Sequence, residues 1–361
     1  MKRILSVFCV AILLFSVWGC KNKVKKDEKE VIKIGAILPL TGKYSDVGNW
    51  MKVGVYHALQ KLQDTLSNKT IKVYYEDAQS TAIGAVNAYN KLKNINEIDV
   101  LITGTSALSL ALKPLAVKDD ILLFSVASHP KITSVDDDNV FRFCNTSKEE
   151  SNTIIDYAIE NSGDRKDKIS IVYHNSEFGL SFKNDLENGL KKKVVSEYSY
   201  DDKSEDVENL VINVLKEKPS EILLIGFTPT MGRVLKKLFE NNFNGEIICN
   251  IGFNSPNVTK IAGKAADHVK FVDYCFPTND SYYKELDKLS KKDFKISFTS
   301  MSFLAYSSIL FIDKNVKWYD GKYKIAKNIE ILKEWNIGGV NYTLNEKGDM
   351  LPKLFINEFN R

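Results

Sequence analysis

The chain has 361 residues and a mass of 40.9 kDa, room for two ordinary domains or one large one. Hydrophobic residues make up 44% and charged residues 27%, which excludes wholesale disorder. Fifty Lys plus Arg nearly balance 46 Asp plus Glu, leaving +4 and no basic stripe, so no nucleic-acid partner is expected; five cysteines exclude a disulfide-dense scaffold.

Lys2 and Arg3 open the chain, and Ile4 to Gly19 is an almost uncharged apolar run of 16 residues. That is short of the roughly 20 residues of a spanning helix and suits the apolar part of a secretory leader, residues 1–19. The run ends in Val17-Trp18-Gly19-Cys20. A small residue before a cysteine resembles the lipobox of bacterial lipoproteins, which implies a lipid on Cys20. Trp18 is bulkier than that pattern usually carries, and the plainer alternative is a signal peptide with a chance cysteine. Residues 21–30, KNKVKKDEKE, are charged at eight of ten positions and read as a tether, residues 20–30 in all. Its lysines also suit an anionic membrane surface.

From Val31 onward short apolar runs alternate with helical patterns. VIKIGAIL (31–38) reads as a strand, and Asn49 to Leu66 as a helix with Val53, Leu59, Leu62 and Leu66 on one stripe. IKVYYED (71–77) is a strand, and Ser80 is placed to cap the helix behind it. VLITG (100–104), a helix to Val117 and ILLFS (121–125) continue the series; runs apolar throughout suit parallel strands buried on both faces. A second series follows: ISIVY (169–173), a helix over 178–192, VVSEYSY (194–200), a helix over 205–216, ILLIGF (222–227), a helix over 230–241 and EIICN (246–250). NVFRFCNTSKEES (139–151) and FVDYCFPTND (271–280) read as crossings between the two series. Helices at 280–291 and about 298–312 precede a Gly-rich, hairpin-like tail.

The pattern predicts an α/β protein of two doubly wound, Rossmann-like lobes joined by a multi-crossing hinge, with ligand in the cleft at the strands' C-terminal ends. The expected division is 31–145 plus 276–325 for the first lobe and 146–275 plus 326–361 for the second.

KIGAILPLTGKYSDVGNWMKVGV, LITGTSALSLALKPLA, ILLFSVASHPKIT, NVFRFCNTSKEE, IVYHNSEFG and GGVNYTLNEKGD follow one another in an order and spacing that resembles the type I periplasmic binding proteins of ABC importers, in their leucine/isoleucine/valine-binding branch. The likeness covers nearly all of residues 31–361. It implies a monomeric, lipid-anchored, extracytoplasmic receptor that closes on a small solute and delivers it to an ABC permease, without a cofactor. A ligand-sensing or regulatory lipoprotein on the same fold is the alternative, and neighbouring permease and ATPase genes would discriminate the two.

Ser106 follows a strand and opens a helix, where a hydroxyl and free N–H groups suit an anion. The resemblance implies ligand contact there; a simple N-cap is the bland reading. Ala127 (through its carbonyl) and Ser128 follow ILLFS in the same manner, although the loop is a residue short of the family pattern and Ser125 competes with Ser128. Tyr44 stands where the family places an aromatic beside the ligand, whereas nearby Trp50 reads as core. Phe178 stands where amino-acid binders carry Tyr, and Phe227 or Thr228 is expected to line the other lobe. The loop GFNSPN offers Asn254 where amino-acid-binding relatives have an acid. Its lack of charge leads to the expectation of a largely apolar, amino-acid-like solute with a carboxylate or amide head and no essential α-amine; a neutral amino acid, with Glu177 as a substitute acid, is the alternative.

Enzymatic motifs are missing. The four histidines are scattered, no HExxH, CxxC, GxxxxGK[ST] or GxGxxG occurs, and Asp136-Asp137-Asp138 lacks metal-loop spacing. Cys144 and Cys275 sit in the two crossings, where a bridge would brace the hinge; free thiols are the favoured reading. Cys249 reads as a small buried apolar residue.

Overall fold

The computed structural model describes residues 30–64, 69–133, 139–162, 168–202, 207–274, 281–319, 322–325, 334–337 and 340–359. The leader, Cys20, nearly all of the tether, Asp136–Asp138 and Cys275 lie outside these residues, so the expectations placed on them are not addressed by the fold.

The first lobe is built on β1 (Glu30–Leu38), β2 (Lys69–Asp77), β3 (Val100–Gly104), β4 (Leu122–Val126) and β5 (Val140–Arg142). They form one parallel sheet in the order β2-β1-β3-β4-β5. Strands β3 and β4 are buried at every position, as their uninterrupted apolar runs require. On one face lie α1 (Ser45–Asp64) and, from far along the chain, α10 (Ser300–Asn315); on the other lie α2 (Ala82–Lys91) and α3 (Ser106–Asp119). α1 and α10 approach so closely that a Cβ on Gly54 would sit 1.9 Å from the Ser302 carbonyl oxygen. α10 starts in a capping box, in which Thr299 and Ser302 each accept the other's backbone N–H.

The second lobe repeats the plan. Its helices are α4 (Ser147–Ser162), α5 (Glu177–Leu190), α6 (Val207–Lys216), α7 (Pro229–Glu240) and α8 (Pro256–Ala262). Its strands are β6 (Ile169–His174), β7 (Val194–Tyr200), β8 (Glu221–Ile225), β9 (Glu246–Cys249) and β10 (Lys270–Tyr274). The sheet order is β16-β10-β9-β8-β6-β7, parallel except for β16 (Leu354–Glu358), which runs antiparallel to β10. α9 (Ser281–Phe294) follows β10 in sequence and packs against α1 of the first lobe. A hairpin, β11 (Val316–Tyr319) and β12 (Lys322–Ile325), follows α10.

Two local expectations are corrected. Thr81, not Ser80, caps α2 by accepting the Gly84 N–H at 3.0 Å. Ser80 adopts a left-handed φ of 56° and serves the β1–α1 loop instead, donating to the Thr41 carbonyl at 2.7 Å and accepting the Tyr44 N–H at 3.1 Å. The expected boundary at residue 326 also fails for part of the tail. β13 (Glu334–Ile337), β14 (Val340–Leu344) and β15 (Met350–Pro352) form a small sheet whose Ile337, Val340, Tyr342, Leu344 and Met350 join the first lobe's core. The alternation in β14 buries Val340, Tyr342 and Leu344 on one side, and Tyr342 donates to Ser307 of α10 at 2.9 Å. Asp349 fixes this docking, accepting from Arg142 Nε at 3.0 Å and from the Thr133 hydroxyl at 2.5 Å with Arg142 fully buried. Among the described residues of the tail, β16 is the strand that returns to the second sheet.

Candidate functional site

In each sheet the chain reverses its winding beside one central strand: between β1 and β3 in the first, between β6 and β8 in the second. Loops leaving the strands' C-terminal ends diverge there and open a crevice. The loops after β1, β3 and β4 face those after β6, β8 and β9 across one cavity of about 100 Å³. A cavity of roughly 150 Å³ accepts a benzene-sized molecule, so the space suits a compact solute.

On the first lobe, Asp77 shapes the β1–α1 loop by accepting Leu40 N–H at 2.9 Å and the Thr41 hydroxyl at 2.6 Å. Burial works to raise this carboxyl, but the hydrogen bonds from Thr41, Gln79 and Leu40 win and hold it below the ordinary carboxylate range. The loop delivers Tyr44, buried, to the cavity. At the end of β3, Thr105 has φ 65° and ψ 144°, a conformation costly for a β-branched residue by about 1–3 kcal/mol. It turns the chain so that α3 begins at Ser106, with its first backbone bond from Ser109 N–H to the Thr105 carbonyl. The N–H groups of the preceding turn therefore have no acceptor within the helix. The hydroxyls of Thr105, Ser106 and Ser128 are all buried without a hydrogen-bond partner, and all three residues line the cavity, as does Ala127. Ser125 is spent elsewhere, donating to Ser109 at 2.8 Å, which leaves Ser128 as the unmet hydroxyl of that loop.

The second lobe contributes rings. Phe178 and Phe227 meet edge to face at 4.9 Å between centroids, and both line the cavity together with Asn254. Thr228 does not line it; it is buried at the start of α7. Seven of the eight expected binding residues thus come to one place.

Sequence reasoning missed several wall residues. Trp50, read as core, is buried and also forms wall; Asn250 and Tyr274 stand at the ends of β9 and β10. Asn250 accepts the Gly226 N–H at 2.8 Å, and its NH2 group is buried without a partner. The largest omission is Glu150, in the first turn of α4 and only 1% exposed. It accepts a hydrogen bond from Ile251 N–H at 3.3 Å. Burial pushes the carboxyl up to about 8, the Ile251 hydrogen bond opposes this, and the charge of Glu149 adds to it. The GFNSPN loop is free of acid, as expected, but the cavity is not: Glu150 enters from the crossing helix, and Glu177 from α5. The signal was present, since Glu150 lies inside NVFRFCNTSKEES.

Contacts across the mouth hold the lobes together. The Tyr44 and Phe227 rings lie 5.1 Å apart, Lys43 Nζ is 3.7 Å from Asp202, His129 Nε2 is 3.7 Å from Glu177, and Asn257 donates to Asp46. Behind Tyr44, buried His174 lies 3.1 Å from Asp202. Burial would raise the Asp202 carboxyl, but His174, Thr228 and Lys43 together hold it below the ordinary range. Burial lowers His129, which leaves it more readily neutral. Cys144 and Cys249 are buried thiols, free of any bridge among the described residues.

A family model described as periplasmic binding protein matches residues 31–335. The chain is 22% identical over 337 residues to Leu/Ile/Val-binding protein homolog 3 of Brucella melitensis, covering 90% of each. Its fold is similar to that of the branched-chain amino acid transporter substrate binding protein LivJ from Streptococcus pneumoniae, in complex with isoleucine. The TM-score is 0.80 at 16% identity, over 92% of this chain and 97% of that one. It is also similar to a solute binding protein of an ABC transporter from Rhodopseudomonas palustris in complex with 3,4-dihydroxybenzoic acid. Here the TM-score is 0.76 at 17% identity, over 92% and 93%. Two lobes wound alike, a cleft at their strand ends and a family match over most of its length place this chain in the periplasmic binding protein family, as a solute-binding protein of the type I fold.

Proposed function

We propose that this chain is the receptor of an ABC importer, exported and held to a bacterial membrane by lipid on Cys20, and that it closes on a compact, largely apolar solute with a carboxylate or amide head. One observation carries the ligand reading: three buried hydroxyls, on Thr105, Ser106 and Ser128, reach an otherwise mostly apolar cavity with no partner in the protein. Unmet buried hydroxyls cost about 1–3 kcal/mol each, and a carboxylate that accepts from them and from the free N–H groups of α3 relieves that cost. Phe178, Phe227 and Trp50 supply the apolar wall for the rest of the solute. Tyr44, Ala127 and Asn254 complete the contacts, while Thr228 sets the start of α7 behind them.

Mass spectrometry of small molecules released on denaturing the purified protein tests the ligand class. A solute with a carboxylate or amide head supports the reading, and a sugar or polyol defeats it. The anchor is tested separately with labelled fatty acid: Cys20→Ala should abolish incorporation, and equal labelling of both proteins would sink that assignment.

A further inference from the structure

We propose that the β11–β12 hairpin lies on the anionic headgroups of the membrane to which the chain is tethered, with Lys317 and Lys324 on the lipid phosphates and Trp318 in the headgroup layer. The inference rests on the reading of Cys20 as the lipid anchor and adds a surface that sets how the tethered protein stands.

The hairpin crosses the first lobe at the N-terminal ends of its strands, the pole opposite the cleft. Lys69, which opens β2, donates from Nζ to the carbonyls of Asp313 and Val316 at 2.6 and 2.5 Å. Tyr323 donates to the Val31 carbonyl at 2.8 Å, and Lys322 pairs with Asp120, which precedes β4. Val316 and Tyr323 are buried beneath, so the ribbon is fixed to the lobe. The chain enters the fold at this same pole, because β1 begins at Glu30, ten residues after Cys20. Ten residues reach at most about 35 Å. The nine residues of β1 put the cleft about 30 Å beyond the hairpin. The tether therefore keeps this pole near the bilayer but is too long to orient the lobe by itself. A surface so confined engages through contacts that would be weak in free solution.

Charge selects the partner. Lys317 and Lys324 stand directly opposite each other across the hairpin, and both are exposed. Like charges so placed repel. Among the described residues no carboxylate pairs with either. The acids of this pole are already engaged: Glu97 by Lys33 at 3.1 Å, Asp119 by Lys93 at 2.6 Å and Asp120 by Lys322, while Asp99 accepts the Lys33 N–H at 2.8 Å. Lipid phosphates would relieve the repulsion between the two lysines. Trp318, on the ribbon's other side, is 52% exposed, with its ring 4.9 Å from that of Tyr323. An indole suits the headgroup layer, where its apolar ring and its N–H both find partners.

The full chain, expressed and processed in a bacterium, is added to vesicles of phosphatidylcholine alone or mixed with phosphatidylglycerol, with bromines on the acyl chains in both. Flotation with neutral vesicles reports the anchor, and quenching of tryptophan by bromine reports the hairpin. On anionic vesicles the emission should fall by up to the share of one tryptophan in the three beyond the leader, Trp50, Trp318 and Trp335, and should recover in high salt. Anchored protein on neutral vesicles should stay unquenched, and Trp318→Phe should abolish the quenching. Lys317→Glu turns a repelling pair into an attracting one, so its unfolding midpoint should be equal or higher. The ratio of engaged to lifted protein should nevertheless fall about tenfold or more. Lys324→Glu makes the same test if that variant fails to fold. No quenching on anionic vesicles, equal quenching on neutral ones, quenching that persists in Trp318→Phe, or quenching undiminished in folded Lys317→Glu would each overturn the proposal, while flotation with neutral vesicles would still uphold the anchor. Flotation with anionic vesicles alone, ended by Lys317→Glu, would sink the anchor and support the hairpin surface. Protein that floats with neither defeats both.

Discussion

The two lobes share a winding plan but treat their polar atoms differently. On the first lobe, Thr105, Ser106 and Ser128 bring hydroxyls to the cleft and leave them unmet. On the second, much of the polar chemistry at the equivalent strand ends is consumed internally. Asn250 accepts from Gly226, Tyr200 donates to the Ile225 carbonyl at 3.0 Å, and His174 stands against Asp202. What that lobe offers the cavity is the rings of Phe178 and Phe227, with the unpaired Asn250 NH2 group and the Glu150 carboxyl beside them. Topology delivers loops to a cleft; the hydrogen bonds already made within each lobe decide which side grips a polar head and which side covers an apolar body.

The contrast extends to how the tail is tied down, and there the largest effect is expected. Asp349→Ala leaves Arg142 buried and unpaired in the first lobe, so a loss of about 3–5 kcal/mol is expected from denaturant unfolding. Lys270→Ala, at the part-exposed pair with Glu358 on the second lobe, should cost far less, because solvent screens that pair. Equal losses would erase the distinction.

Glu150 comes next. Its folded carboxyl titrates near 8, above the ordinary 4.5, so the folded state holds the proton more tightly than the unfolded chain. Ligand-free stability should therefore fall as pH rises from about 4.5 to 8, by at most about 1.4 kcal/mol per pH unit and a few kcal/mol in all. Glu150→Gln should lack this decline and be the more stable protein at pH 8. Parallel stability curves for the two proteins would show that the carboxyl is not in the environment described.

Ser106→Ala with Ser128→Ala should weaken binding of a carboxylate solute about 10- to 100-fold while leaving the melting temperature unchanged or higher, since these hydroxyls have no partner to lose. A fall in melting temperature with affinity intact would reverse their meaning. The smallest effect is expected at the mouth. Lys43→Ala removes a half-exposed ion pair to Asp202 and should weaken binding by less than about 1 kcal/mol, a difference that fades in high salt.

Much of this was legible in the sequence because parallel strands buried on both faces are written as uninterrupted apolar runs. VLITG and ILLFS matched their strands to within a residue, and VVSEYSY matched β7 fully. The loops after those strands follow from the winding, the family resemblance singles out Tyr44, Ser106, Ser128, Phe178 and Phe227 within them, and the structure brings all five to the cavity wall. Glu150 was hidden because a glutamate in the first turn of a helix is ordinarily a solvated group that favours the helix dipole. Nothing in KEES shows that the turn is pressed between two lobes. The tail misled for a related reason: the alternation of β14 announces a strand with one buried face, not which lobe buries it. That choice is made by Arg142 and Asp349, 207 residues apart.

The late arrival of α10 and β16 also sets the order in which the molecule can be completed. The first lobe packs its opening strands against a helix that begins at Ser300, and the second sheet receives its edge strand only at Leu354. Neither lobe can finish while the C-terminal fifth of the chain is still missing, and contacts of such sequence separation form slowly. For a chain exported as proposed, such late completion of both lobes favours translocation ahead of folding.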